Sequence, residues 1–309
     1  MNLPGAGRAA MVLVCLWSLS ACSVVKRAAI KNVASTLAAP GDTFTSDNDP
    51  ELVRRAVPFA LKMSESLLES VPKYEPLLLS TCSGYTGYAY AFVETDADLL
   101  REETHHDEVK ALRDEAVLLY LRARDYCLRG MDVAYPGLKG PLESDPKAAL
   151  TRITDKSAVP LLYWTAASWG AAMALRKDPE LVIDFPVVRA LAERALALDE
   201  TWSNGAIHEL MITLDAQGET FGGSEEGARR HFARAVEIQH GAMAGPYVSL
   251  AMGVAYPNGQ RAEFEKLLQQ ALAIDPEQRK SDRLVNLIAQ RRARALLDRV
   301  DELFPPGGN

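Results

Sequence analysis

Val188-Arg-Ala-Leu-Ala-Glu-Arg-Ala-Leu-Ala-Leu-Asp199 has two echoes further along the chain, Ala228-Arg-Arg-His-Phe-Ala-Arg-Ala-Val-Glu-Ile-Gln239 and Phe264-Glu-Lys-Leu-Leu-Gln-Gln-Ala-Leu-Ala-Ile-Asp275. Aligned, they superpose Ala195, Ala235 and Ala271 at intervals of 40 and 36 residues, each followed directly by an apolar residue. Apolar residues at helical spacing give each copy one greasy face. A small residue at a fixed place in each copy suits a close helix crossing, and Asp275-Pro276 closes the last one. No segment of the chain shows the sustained alternation of a half-buried strand, so the sequence predicts an all-α fold.

Two upstream segments fit as partners: Tyr163 to Leu175, with Trp169-Gly170, and Pro246 to Ala255, with Tyr247, Leu250 and Gly253. The pairs resemble tetratricopeptide units, although the period exceeds the usual 34 residues and the full Trp-Leu-Gly-Tyr signature is absent. Units of this kind cannot bury their apolar faces alone, so antiparallel helix pairs are expected to stack into a degenerate α-solenoid. Residues 141–280 would form these repeats, and residues 281–304, rich in Arg291, Arg292, Arg294 and Arg299, a C-terminal cap helix.

N-terminal helices are expected over residues 48–140. Asp49 can cap, Pro50 suits the first helical position and Glu51 favours the positive helix end. Leu52, Ala56, Phe59, Met63, Leu67 and Leu68 then recur as an apolar face, with a kink expected at Pro58. A second helix should run from Glu75 or Pro76 to Val93, and a third from Val109 to Arg129.

Residues 1–21 read as a lipoprotein leader. Arg8 precedes a short apolar stretch, and Leu19-Ser20-Ala21-Cys22 resembles a lipobox, which implies acylation at Cys22. Residues 22–47 would then be a lipidated cysteine and a flexible tether spanning about 28 Å. Ser23, rather than Asp, follows the anchor, and by resemblance to the lipoprotein sorting rule this favours the periplasmic side of the outer membrane. The domain would occupy residues 48–309.

Of 309 residues, 34 are Lys or Arg and 41 Asp or Glu, for a formal charge of −7. That balance leaves no basic surplus to displace counterions from phosphates, so nucleic acid is not expected as a partner. Cys82 and Cys127 lie on either side of the polar connection Glu94 to Asp107, and their midpoint falls inside it. Antiparallel helices would bring them together, and a disulfide and two buried free thiols both fit.

No catalytic constellation emerges. His105-His106-Asp107-Glu108 points its adjacent side chains apart, so it reads as a solvated loop rather than a metal site. Gly222-Gly223-Ser224 is followed by Glu225 and Glu226, which would repel an anion, so it reads as a turn ending in a Ser cap. His208-Glu209 and His231 have no nucleophile in a recognisable motif. No cofactor or metal is expected. Tyr85, Tyr88, Phe92, Tyr163, Trp164 and Trp169 are candidates for lining a ligand cavity, and each is also a natural core residue.

Several blocks in order resemble the T-component (TatT-type) lipoproteins of tripartite ATP-independent periplasmic (TRAP) transporters. They are Asp49-Pro-Glu-Leu-Val53 with Pro58-Phe-Ala-Leu-Lys62, Tyr88-Ala-Tyr-Ala-Phe-Val93, Arg122-Ala-Arg-Asp-Tyr126, Tyr163-Trp164, Phe221-Gly-Gly-Ser224 with Ala228-Arg-Arg-His-Phe232, and Asn286-Leu-Ile-Ala-Gln-Arg-Arg-Ala293 with Leu296-Leu297. The resemblance implies a periplasmic, lipid-anchored, TPR-like protein that associates with a solute-binding P-component. It also implies a homotrimer enclosing a pore and delivery of a small hydrophobic or organic-acid ligand. The Cys82/Cys127 pair is not a hallmark of that family. The expected function is therefore a non-catalytic binding and scaffold component of such an uptake system, with a general envelope scaffold for outer-membrane or cell-wall machinery as the alternative.

Overall fold

Asp49 opens the first long helix as its sequence suggests, its carboxylate accepting hydrogen bonds from the backbone N–H groups of Glu51 and Leu52 at 3.0 and 3.1 Å. The computed structural model describes residues 30–39, 41–176 and 178–305 of the chain. Its longer elements are α1 (Pro50–Ser70), α2 (Glu75–Tyr88), α3 (Glu102–Ala134), α4 (Val159–Arg176), α5 (Phe185–Leu198), α6 (Trp202–Asp215), α7 (Glu225–Gln239), α8 (Gly245–Leu250), α9 (Arg261–Leu272) and α10 (Arg283–Asp298). No strand occurs among the described residues, and the fold is all-α as expected. The leader and Cys22 lie outside the described residues.

One expectation about α1 is corrected. The helix is continuous through Pro58. Of its expected apolar face, Leu68 is buried and Leu67 half-buried, but Leu52, Ala56, Phe59 and Met63 are exposed, and Val53 and Leu61 are buried in their place. The sequence carries apolar residues on two sides of this helix. Periodicity cannot say which side the body will cover, and here it covers the Val53 side.

The stretch placed in a tether is partly packed. Residues 30–38 are helical, and Ala34 is fully buried against Leu68, Leu77 and Leu78. The polar connection before the third helix is mostly absorbed into α3, which begins at Glu102 rather than Val109.

α2 and α3 are antiparallel. Climbing α2 descends α3: Leu78 adjoins Gly130, Cys82 adjoins Cys127, and Glu94 just beyond α2 meets Tyr120. Cys82 and Cys127 are joined as a disulfide, with their Cα atoms 5.4 Å apart. α4 packs between α3 and α5. With the turn before it, Lys156–Arg176 is long and apolar enough to cross a membrane, but more than half of it is buried among other helices. The aligned Ala195, Ala235 and Ala271 are all fully buried. A side chain as small as alanine there lets neighbouring helices approach closely.

The chain does not run on as an open stack. α10, expected as a terminal cap, returns to the N-terminal helices. Leu284 and Ile288 share an apolar cluster with Val53 and Phe92. Beside it, Arg291 pairs with Glu51 at 3.3 Å, Arg292 with Asp98 at 2.6 Å, and Arg299 donates to the Leu100 carbonyl at 2.9 Å. The helical sequence thus closes on itself, with its last long helix packed on its first.

Candidate functional site

A group of polar side chains stands beside this closure. α2 passes into a π-helical turn, Ala89–Glu94, whose wider spacing re-aims the side chains. The Thr95 hydroxyl donates to the Tyr90 carbonyl at 2.8 Å across this widened turn. Phe92 then faces the apolar cluster with Val53, while Tyr90 and Glu94 belong to a polar group with Tyr120 of α3, Tyr163 of α4, Glu209 of α6, Ser249 of α8 and Arg292 of α10.

Arg292 organises one side of the group. Its Nη2 lies 2.6 Å from Asp98 and 3.6 Å from Glu94, and its guanidinium stands 4.8 Å over the Tyr90 ring. The Tyr120 hydroxyl donates to Glu94. Burial raises the Glu94 carboxyl, with Arg292 opposing it. Tyr120 is pushed well up, by burial and then by the charge of Glu94.

Glu209 stands on the other side. Burial pushes its carboxyl up to about 7, against the weaker pull of Arg292 and a hydrogen bond from Ser249. A side chain at Gly245 would overlap this carboxyl, so the glycine is what lets it sit at the start of α8. Tyr163 is raised by burial and by the charge of Glu209.

Tyr90, Glu94, Tyr163, Glu209 and Arg292 are enclosed by protein, yet each keeps part of its surface accessible to water. Tyrosine hydroxyls and a carboxyl that changes protonation near neutral pH can donate to or accept from a ligand's polar head. Among the described residues no group of three His, Cys, Asp or Glu side chains is arranged to hold a metal ion.

The six aromatic residues chosen from sequence are dispersed. Tyr85 is buried and stacked on Tyr126, with ring centroids 6.2 Å apart. Tyr88 packs on Phe92 at 5.5 Å. Trp169 is buried beneath the Arg124 guanidinium at 5.2 Å. Tyr163 sits against Trp164 and Trp202, at 5.0 and 4.9 Å, and it alone of the six faces Glu209. Sequence reasoning passed over Tyr90, Glu94, Glu209 and Arg292. Tyr90 stood inside a quoted block, but nothing in periodicity marks a π-turn or the return of α10.

The Gly222-Gly223-Ser224 turn is a packing device. Any side chain on Gly223 would overlap the backbone of Asp215. Arg189 donates to Asp215 at 2.8 Å and to the carbonyls of Leu214 and Phe221 at 3.1 and 2.9 Å. Ser224 accepts from the N–H of Gly227 at 3.0 Å, as a cap should. Beside this turn the Nδ1 atoms of His208 and His231 are 2.8 Å apart, and His208 Nε2 lies 3.2 Å from Glu200.

Comparison with known proteins places this architecture. The family model described as TRAP transporter T-component matches residues 46–304. An uncharacterised protein of Treponema pallidum (strain Nichols) is 30% identical over 319 aligned positions, covering 95% of this chain and 98% of the relative. The chain belongs to the TRAP transporter T-component family.

Proposed function

We propose that this transporter component is anchored through an acylated Cys22 to the periplasmic face of the outer membrane, where it docks a solute-binding P-component and receives a small ligand at the polar group around Glu209 and Arg292. The observation carrying this reading is the polar group where the last long helix returns to the N-terminal helices: Tyr90, Tyr163, Glu209 and Arg292 come from four different helical segments and each is half-buried.

This group favours a ligand with a hydrogen-bonding head and an apolar body. Arg292 already has Asp98 at 2.6 Å, so it is not held open for a ligand carboxylate. Tyr163, Trp164 and Trp202 supply the apolar contact.

Protein purified from native envelopes and analysed by native mass spectrometry should retain a small molecule, and Tyr163→Phe with Glu209→Gln should release it. Pull-down from solubilised envelopes should recover a periplasmic solute-binding protein. Repeated recovery of cell-wall or porin-assembly proteins alone would instead favour a general envelope scaffold. The homotrimer implied by the family is tested by the mass of the same complex.

A further inference from the structure

We propose that the ligand received at this polar group carries a cationic head, an ammonium on an apolar body, held by the Glu209 carboxylate; the inference rests on the group being the receiving site. The charges gathered there are unequal. Glu94, Asp98 and Glu209 bring carboxyls, and Arg292 is the guanidinium among them. Its Nη2 lies 2.6 Å from Asp98 and 3.6 Å from Glu94, so this cation is committed to the other two acids. Arg113, which also acts on Glu94, is paired with Glu102 at 3.0 Å. Among the described residues Glu209 makes no ion pair, and the Ser249 hydroxyl supplies its hydrogen bond.

An ionised carboxylate left in that condition away from water costs folding free energy. The fold nonetheless makes room for it: α8 begins with Gly245, where any Cβ would overlap Glu209 Oε1. Burial holds the carboxyl up at about 7. A ligand ammonium supplies the missing counter-charge and favours the ionised form again. A ligand carboxylate would instead add a further acid to the three, with Arg292 already engaged. The adjoining surface also suits a cation. Tyr163, which feels the Glu209 charge, has its ring 5.0 Å from Trp164 and 4.9 Å from Trp202, and all three residues are half-buried. The Tyr163 hydroxyl has no hydrogen-bond partner among the described residues, so its oxygen can accept from an ammonium N–H beside the carboxylate. Aromatic faces attract cations, and Tyr90 already holds one, the Arg292 guanidinium 4.8 Å over its ring.

The test uses the full chain and three probes of equal length, octylammonium, octanol and octanoate, titrated calorimetrically at pH 8. Octylammonium should bind about tenfold more tightly than octanol, the worth of a hydrogen bond to a charged group, and octanoate more weakly than either. Glu209→Gln, which keeps the side-chain shape, should bring octylammonium down to the affinity of octanol. Gly245→Ala, which crowds the same carboxyl, should weaken octylammonium as well. Glu226→Gln, at an acid whose side chain is 84% exposed, should leave it unchanged. Octylammonium binding no tighter than octanol overturns the proposal, and so does a preference for it that survives Glu209→Gln, which is adsorption to an acidic surface. Tighter binding of octanoate, or a native ligand without basic nitrogen that Glu209→Gln releases, overturns the cationic head and leaves the receiving site standing. If no probe binds and protein from native envelopes retains no small molecule, the proposal and the receiving site fall together.

Discussion

The guanidinium of Arg292 on the last long helix lies 2.6 Å from the carboxylate of Asp98, 194 residues earlier in the chain. This ion pair joins the ends of the helical sequence, and Glu94 and Tyr90 stand against the same guanidinium. The closure and the polar group rest on one residue.

Replacing Arg292 with Met should therefore do more than remove a surface charge. Its side chain is only 13% exposed, and Glu94 beside it is 15% exposed, so the change strands buried acids. Breaking such a pair costs about 3–5 kcal/mol. Denaturant titration should show that loss, and adding Glu94→Gln should recover part of it. Equal stability of Arg292→Met and wild type would mean the closure does not depend on this residue.

The Cys82–Cys127 link closes a separation of 45 residues. Loop-closure entropy for that length predicts about 4 kcal/mol, and measured values commonly fall in the range of about 2–4. Intact mass before and after reduction should differ by two hydrogens, and Cys82→Ser with Cys127→Ser should lower the unfolding midpoint. A protein that reacts with thiol reagents at both positions when unfolded without reductant carries free cysteines instead.

Glu209 makes stability fall as pH rises. Its carboxyl is raised from 4.5 to about 7 in the folded protein. Between those values the folded state binds more protons than the unfolded one, so its stabilising contribution is full below pH 4.5 and is lost as pH climbs through 7. Glu209→Gln should gain stability relative to wild type at pH 8, by up to about 3 kcal/mol, and little at pH 4. The difference between the two unfolding curves across that range is the measurement; a flat difference would contradict the shift.

The His208–His231 pair acts in the opposite direction. Burial lowers both imidazoles, assisted at His231 by the charge of His208 and opposed at His208 by Glu200. A folded-state value below 6.5 means that the unfolded chain binds more protons there, so this contribution is present above pH 6.5 and lost as pH falls through the folded values. Replacing both with Asn should flatten the acid side of the stability profile. An unchanged profile would show that the pair is not its source.

How much of this was legible in advance follows from how local each signal is. The Asp49 cap, the Ser224 cap and the three small residues Ala195, Ala235 and Ala271 are settled within a few turns of chain, and the structure has them where the pattern put them. The outward stripe of α1 was misread because two apolar faces on one helix have the same period, and only a neighbour decides which is covered. The aromatic candidates were scattered because they lie on α2, its π-turn and α4, and which neighbour each meets is settled by packing between helices that no spacing announces.

Helical class and the family's ordered blocks were determined by sequence alone, because periodic burial and capping are local physics. The return of α10 onto α1, and with it the gathering of Tyr90, Glu94, Glu209 and Arg292, was decided only in three dimensions. Each pair contributes a small rotation, and whether the accumulated turn closes depends on packing summed over the whole chain.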